Sequence, residues 1–211
     1  MEGIVVKSID FKENSKIIYL LTENGKDSLL VKGAKSIKNK NVGLTQSITL
    51  INYNHTNSNL KILTDGEVIN NYDYIKESID NITIASELLE ITTYFYDSLV
   101  STDQIYKSVK VLLSLMKDID PLKILLIYKA KLIKFLGGLL EEDILKEVKE
   151  YVSISPSLIN KLMDIPLIEL LKYDFSVQEI KDISFILDYY FDKYYSYKPK
   201  TINMRHNLFG F

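Results

Sequence analysis

Lys16-Ile-Ile-Tyr-Leu-Leu-Thr-Glu-Asn-Gly-Lys-Asp-Ser-Leu-Leu-Val-Lys32 decides how the chain begins. Two short apolar runs flank Glu23-Asn-Gly-Lys26, and Asn-Gly tolerates the positive φ angles of a tight hairpin. The pattern predicts paired strands over 16–22 and 27–32. Upstream, Gly3-Ile-Val-Val-Lys-Ser-Ile9 reads as a β-branched strand. Downstream, Gly33-Ala-Lys-Ser-Ile-Lys-Asn-Lys-Asn-Val-Gly43 is polar, basic and bounded by glycines, which predicts a loop. Ser47-Ile-Thr-Leu-Ile-Asn-Tyr53 alternates, His55-Thr-Asn-Ser-Asn59 is a turn, and a last strand runs over 60–64 and on to 69. Five short strands with tight turns predict a small barrel, an arrangement that leaves few free sheet edges.

The period then changes from two to three and four. Ile82, Ala85, Leu89, Thr92, Tyr96 and Leu99 recur at helical spacing, as do Ile105, Val109, Leu112, Leu113 and Met116. A third set is Leu122, Leu125, Leu126, Lys129, Ile133 and Leu136. Ser101-Thr-Asp103, Asp120-Pro121 and Gly137-Gly138 supply the breaks. Asp120 is a good N-cap, because Pro121 has no N–H to leave unsatisfied in the first turn. Further helices are expected over 142–151, 157–163, 166–172 and 176–196, the last capped by Ser176. The reading is an α+β chain with a barrel domain over 1–75 and an all-α domain over 76–211.

The 211 residues include no cysteine and two histidines. That excludes disulfides, thiolate metal sites and cysteine nucleophiles. No GxSxG elbow, P-loop, GxGxxG or HExxH motif appears. His55 lies in a polar turn and His206 near the end of the chain; both read as surface. Glu141-Glu142-Asp143 reads as acids favouring a helix N-terminus, with oxygen ligation of a divalent ion as the other reading. The expectation is therefore no catalytic residue, no metal and no cofactor, a metal-dependent nuclease being the enzymatic alternative. The start, MEGIVVKSID, carries charges and lacks a signal-peptide centre. No run of about 18 apolar residues spans a membrane. A soluble, cytoplasmic, nucleoid-associated protein is expected.

The net charge of −2 hides an uneven distribution. Residues 1–64 hold nine lysines against five acids. Residues 65–192 are strongly acidic, and 193–211 hold Lys193, Lys198, Lys200 and Arg205 with no acid. Clustered like charges attract polyanions. Small barrels bind nucleic acid with charged grooves and stacking rings. The candidates are Lys32, Lys35, Lys38 and Lys40 of the basic loop, the rings of Phe11, Tyr19 and Tyr53, and Lys198, Lys200 and Arg205 of the basic tail. The alternatives are a solvated loop and rings that fill the barrel. Lys123, Lys131 and Lys134 cluster on one side of the third helix, with leucines on another. They suit an acidic peptide or, equally, a solvated face. The dense tyrosines of 189–197 suit base stacking, or burial with wet hydroxyls, which is the favoured reading.

Several of these segments resemble the RecO family of bacterial recombination mediators. They are Glu2-Gly-Ile-Val-Val-Lys-Ser8, Phe11-Lys-Glu-Asn-Ser15, Leu21-Thr-Glu-Asn-Gly-Lys26 and Val31-Lys-Gly-Ala-Lys-Ser-Ile-Lys38, in that order. Leu132-Ile-Lys-Phe-Leu-Gly137 is similar to the family's helix end, and the stretch from Tyr194 to Lys200 to its basic tail. The resemblance implies an N-terminal OB-fold and a helical domain. It also implies binding of single- and double-stranded DNA, strand annealing, and cooperation with RecR in loading RecA onto DNA coated with single-stranded DNA-binding protein (SSB). It implies docking of the acidic SSB tail on the helical domain, for which Lys123, Lys131 and Lys134 are the candidates. Activities of this kind need no catalytic site. A protein-interaction adaptor that docks an acidic peptide without DNA is the alternative. Many relatives carry a four-cysteine zinc motif after that helix end; this chain runs on as Gly137-Gly-Leu-Leu-Glu-Glu-Asp143 without cysteine. The scarcity of arginine puts in doubt any family contact that needs a bidentate guanidinium.

Overall fold

The computed structural model describes the chain apart from residues 37, 38, 100, 141, 155 and 211, with the backbone alone for 142, 143, 156, 157, 159 and 160. Two compact units emerge. One joins Met1–Ser78 to Leu89–Leu115, and the other joins Ile79–Leu88 to Met116–Phe211. Strands give way to helices at the expected place, but the unit that contains the barrel also takes in residues 89–115.

The first unit is built on five strands: β1 (Glu2–Phe11), β2 (Ser15–Thr22), β3 (Gly25–Val31), β4 (Thr49–His55) and β5 (Leu63–Asn70). Their order in the sheet is β3-β2-β1-β4-β5, every neighbouring pair antiparallel. A parallel bridge between Leu30 and Ile62 joins the two ends, with the Leu30 amide 2.9 Å from the Lys61 carbonyl. The barrel thus closes in the circuit β1-β2-β3-β5-β4-β1. Period-two alternation sends Val5, Ile18, Leu20, Leu29, Val31 and Ile51 inward, all of them fully buried. A register shift between Val5 and Lys7 turns Lys7 outward, opposite Tyr19. The β2–β3 turn consists of Glu23 and Asn24, and the positive φ falls on Gly25, at +131°.

Short helices complete this unit: α1 (Asp73–Lys76), the second half of α2 (Ile79–Phe95), and α3 (Thr102–Leu115). Glu2 on β1 receives Lys110 Nζ at 2.6 Å and the Tyr106 hydroxyl at 2.9 Å, both from α3. Burial pushes the Glu2 carboxyl up, but these two donors outweigh it and hold it below its ordinary value. The Tyr96 hydroxyl donates to the Thr22 carbonyl at 2.6 Å, anchoring the end of α2 on β2.

The second unit centres on α4 (Pro121–Phe135). The Asp120 side chain accepts from the Leu122 amide at 2.9 Å, as the sequence predicts. The helix is not two-faced, however. Ile124 through Ala130 are all buried, lysine included, so α4 is a core helix with neighbours all round. Its end is a Schellman turn: the Gly138 amide bonds the Ile133 carbonyl at 2.9 Å and the Gly137 amide bonds that of Lys134 at 3.0 Å. Gly137 sits at φ +75°, and a Cβ on Gly138 would lie 2.2 Å from the Tyr190 hydroxyl. Around α4 come α5 (Glu142–Val148), α6 (Pro156–Asp164), α7 (Leu167–Leu170), α8 (Val177–Tyr195) and α9 (Ile202–Phe209). Ser176 and Glu179 form a reciprocal capping box at the start of α8. The basic tail is helical over α9, which the sequence pattern did not predict.

Four charged side chains meet inside this unit. Lys129 Nζ lies 2.5 Å from Glu87 Oε1 and 2.7 Å from Asp188 Oδ1. Arg205 Nε lies 2.9 Å from Glu87 Oε2, its Nη2 pairs with Asp188 Oδ2, and its Nη1 donates to the Ser184 hydroxyl at 2.5 Å. Glu87 and Arg205 are fully buried and Lys129 nearly so. Two carboxylates balance two cations, so the cluster is neutral as a whole, the condition under which buried charge is tolerated. Burial pushes the Asp188 carboxyl up, but Lys129, the His206 hydrogen bond and Arg205 outweigh it and hold it far below the ordinary carboxylate range.

Two predictions follow from this packing. Gly138→Ala destabilises the protein by about 1–3 kcal/mol through overpacking against Tyr190, read as a lower midpoint in urea. Asp188→Asn strips one carboxylate from the cluster and costs about 3–5 kcal/mol at neutral pH. A carboxyl with a depressed folded pKa stabilises above its unfolded value and loses that contribution as pH falls. The gap between wild type and Asp188→Asn therefore narrows on acidification; a constant gap contradicts the assignment.

Candidate nucleic-acid interface

The outward face of β1–β3 is assembled by strand register. Tyr19 lies opposite Lys7 on one side and Ser28 on the other. All three are exposed, with Tyr19 at 39%. A ring open to solvent beside an ammonium is suited to stacking on a base while a phosphate is neutralised alongside. Lys7 was not among the sequence candidates. The β1 register shift that aims it at Tyr19 leaves no mark in local composition.

The turn between β1 and β2 adds further cations. Lys35 Nζ donates to the Lys12 carbonyl at 2.9 Å and sits 3.1 Å from Asp10, which also pairs with Lys16 at 3.8 Å. These contacts bring Lys12, Lys16 and Lys35 to one end of the barrel. Phe11 is half-buried there, with the Lys12 ammonium 5.4 Å from its ring centre. Lys32 is exposed just beyond β3. Of the sequence candidates, Phe11, Tyr19, Lys32 and Lys35 thus fall on or beside this face. Lys40 turns away to pair with Asp65 of β5 at 3.3 Å. Lys38 lies outside the described residues.

Two candidates are corrected by burial. Tyr53 is 1% exposed, inside the barrel, and its hydroxyl donates to Asp27 Oδ2 at 3.1 Å. Inward alternation on β4 places it there, so its ring cannot meet a base. Asp27 also takes Lys61 Nζ at 2.7 Å and the Ser28 amide at 2.8 Å. Burial raises the Asp27 carboxyl, and these donors override that, holding it low. His55 is likewise no surface histidine. Its side chain is 10% exposed, Nδ1 faces the Thr56 carbonyl at 2.9 Å, and Nε2 lies 4.0 Å from Asp27. The second correction is Arg205, which the central charge cluster of the helical unit holds at 0% exposure. Lys198, two-thirds exposed, pairs with Asp192 at 3.0 Å, and Lys200 is exposed.

The three lysines of α4 meet their own chain. Lys123 Nζ donates to the Leu171 carbonyl at 2.8 Å, and Lys131 to those of Met163 at 2.8 Å and of Ile165. These carbonyls lie at the ends of α7 and α6, where the last turn leaves acceptors without helical donors. Burial and the Lys134 charge lower the Lys131 pKa below its ordinary value. Lys134 pairs with Asp164 at 2.9 Å and keeps 55% of its side chain exposed. Among the described residues no group of three or more His, Cys, Asp or Glu side chains is placed to hold a metal ion. Glu141 lies outside the described residues. None of the described helices is long and apolar enough to cross a membrane.

Comparison with known proteins bears on this surface. The family described as "Recombination protein O N terminal" matches residues 1–72, the span of the barrel. Proteins named DNA repair protein RecO from Bacillus cytotoxicus, Bacillus mycoides and Bacillus cereus are 30%, 29% and 29% identical over 143 residues. The match takes in 65% of this chain and 56% of each relative, so the chain spans little more than half the length of the relatives it matches.

If Arg205 is structural, Arg205→Ala lowers stability by about 3–5 kcal/mol by leaving Glu87 and Asp188 short of a cation. The folded fraction then keeps the wild-type salt dependence of DNA binding. A reduced slope with unchanged stability would return Arg205 to the DNA surface.

Strand circuit, order of motifs and matched relatives agree: the barrel of residues 1–72 matches the N-terminal OB-fold family of RecO, and over 143 residues the chain is similar to proteins named DNA repair protein RecO.

Proposed function

We propose that this chain serves DNA repair as a non-enzymatic recombination mediator that binds DNA through the outer face of β1–β3. The observation that carries the reading is exposed Tyr19, set between Lys7 and Ser28 on the barrel face through which OB-folds commonly take oligonucleotides. The lysines at the β1–β2 turn extend it along a backbone track. Stacking is tolerant of sequence, and lysine acts on phosphate as a point charge, so the face suits single strands without sequence preference. Duplex binding by the same lysines, and annealing of complementary strands held there, extend the reading.

Cooperation with RecR, loading of RecA onto SSB-coated DNA and docking of the SSB tail rest on the family likeness. For tail docking, Lys134 keeps the most open side chain of the three α4 lysines, since Lys123 and Lys131 already cap neighbouring helices. The adaptor reading loses its main support for the same reason.

Anisotropy of a labelled oligothymidine against salt tests the proposal. Affinity falls steeply as salt rises, because each neutralised phosphate of a single strand adds about −0.7 to the log–log slope. Lys12→Ala with Lys35→Ala flattens that slope by roughly 1 to 1.5. Tyr19→Ala weakens binding by about 1–3 kcal/mol and leaves the slope alone. No binding at low salt, or binding indifferent to all three substitutions, overturns the reading.

A further inference from the structure

The helical unit leaves aromatic rings open in a line. Tyr151 is 70% exposed, and its ring centre lies 5.7 Å from that of Phe185 on α8. One turn further along α8, Phe185 stacks on Tyr189 with centres 6.4 Å apart and planes 14° from parallel. The Lys193 ammonium, one turn beyond, sits 5.8 Å from the Tyr189 ring centre and 5.6 Å from that of Tyr194. Contiguous exposed apolar surface of this kind marks a binding site more often than scattered single residues do.

Phe185 and Tyr189 also form one wall of a groove between α8 and α9. Its volume is about 320 Å³, at the small end of the ligand-pocket range. Tyr197, almost fully buried, borders it, and Lys181, Lys198 and His206 stand round it. The acids near it are already engaged: Asp188 by Lys129 and Arg205, Asp192 by Lys198, and Glu147 by Lys193 and the Tyr189 hydroxyl. One side of the groove comes from residues 193–211, which contain no acid, and the other from α8, which contributes Asp188 and Asp192.

We propose that this groove and the ladder beside it form a stacking subsite for unstacked bases of single-stranded DNA. The inference rests on the DNA-binding reading above and adds to it a second contact region, on the helical unit. The chemistry selects the occupant. Phe185 and Tyr189 offer ring surface to a planar, apolar, π-bearing group of limited size, and the phosphates that flank such a group in a nucleic acid strand can exchange with the carboxylates that now pair Lys193 and Lys198. A duplex keeps its bases stacked inside and has none to insert, so the subsite discriminates for single strands.

Photo-crosslinking of the unmodified protein with oligothymidine carrying 5-iodouracil, mapped by mass spectrometry, tests the assignment directly. Cross-links to peptides spanning 181–206 are expected beside those on the barrel face. In parallel, Phe185→Ala weakens oligothymidine binding roughly 5- to 100-fold with the salt slope unchanged. Phe185→Tyr retains binding, and duplex affinity stays at wild type in both. Cross-links confined to the barrel, or wild-type affinity in Phe185→Ala, overturn the subsite while the barrel reading stands. Loss of binding to an apolar peptide, with oligothymidine binding intact, reassigns the groove to a protein and overturns it as well. Failure of the wild type to bind oligothymidine at low salt overturns both readings.

Discussion

The Leu30 amide reaches the Lys61 carbonyl, and Leu30 pairs in parallel with Ile62. This short seam converts an open five-stranded sheet into a closed barrel. Closure decides which face of every strand is interior, and therefore which rings and lysines remain for a partner. The ion pair of Asp27 with Lys61 reinforces the same seam from the side chains, and the Tyr53 hydroxyl joins it from within. An aromatic residue that helps hold the seam is unavailable to DNA. Tyr19, one strand face away, is left outside with Lys7 beside it.

Charge in this chain is divided between two tasks. Some of it is structural: Lys129 and Arg205 neutralise Glu87 and Asp188 in the interior, and Lys123 and Lys131 satisfy carbonyls at helix ends. The buried quartet is an ion-pair system whose members cannot be removed singly without exposing another to an uncompensated charge. The remainder, at the β1–β2 turn and beyond β3, stays at the surface, where it is screened by salt and open to exchange for phosphates. The near-neutral total therefore conceals both a locked interior network and an open basic edge.

Much of this was legible in the sequence. Period-two alternation around Asn24-Gly25 marked the hairpin, Asp120-Pro121 and Ser176 marked two helix starts, and the order of the N-terminal motifs pointed to the family. What stayed hidden depends on contacts distant in the chain. Tyr53 and Tyr19 both look like exposed barrel rings until strand pairing assigns one inward and one outward. Arg205 reads as part of a basic tail until α9 carries it against Glu87, 118 positions earlier. The helical periodicity found Lys129 at a core position, but nothing local showed that two carboxylates await it. The α4 lysines failed as a free patch because the helix is surrounded, a property of packing that its own pattern does not contain.

The central claim is that DNA lies on the outer face of β1–β3. Amide hydrogen exchange of the whole chain, with and without a saturating oligothymidine, locates that contact without any substitution. The account predicts slowed exchange over 7–19 and 26–36, with the inward seam at 53–55 unaltered. Protection absent from both segments, whatever happens elsewhere in the chain, would contradict it.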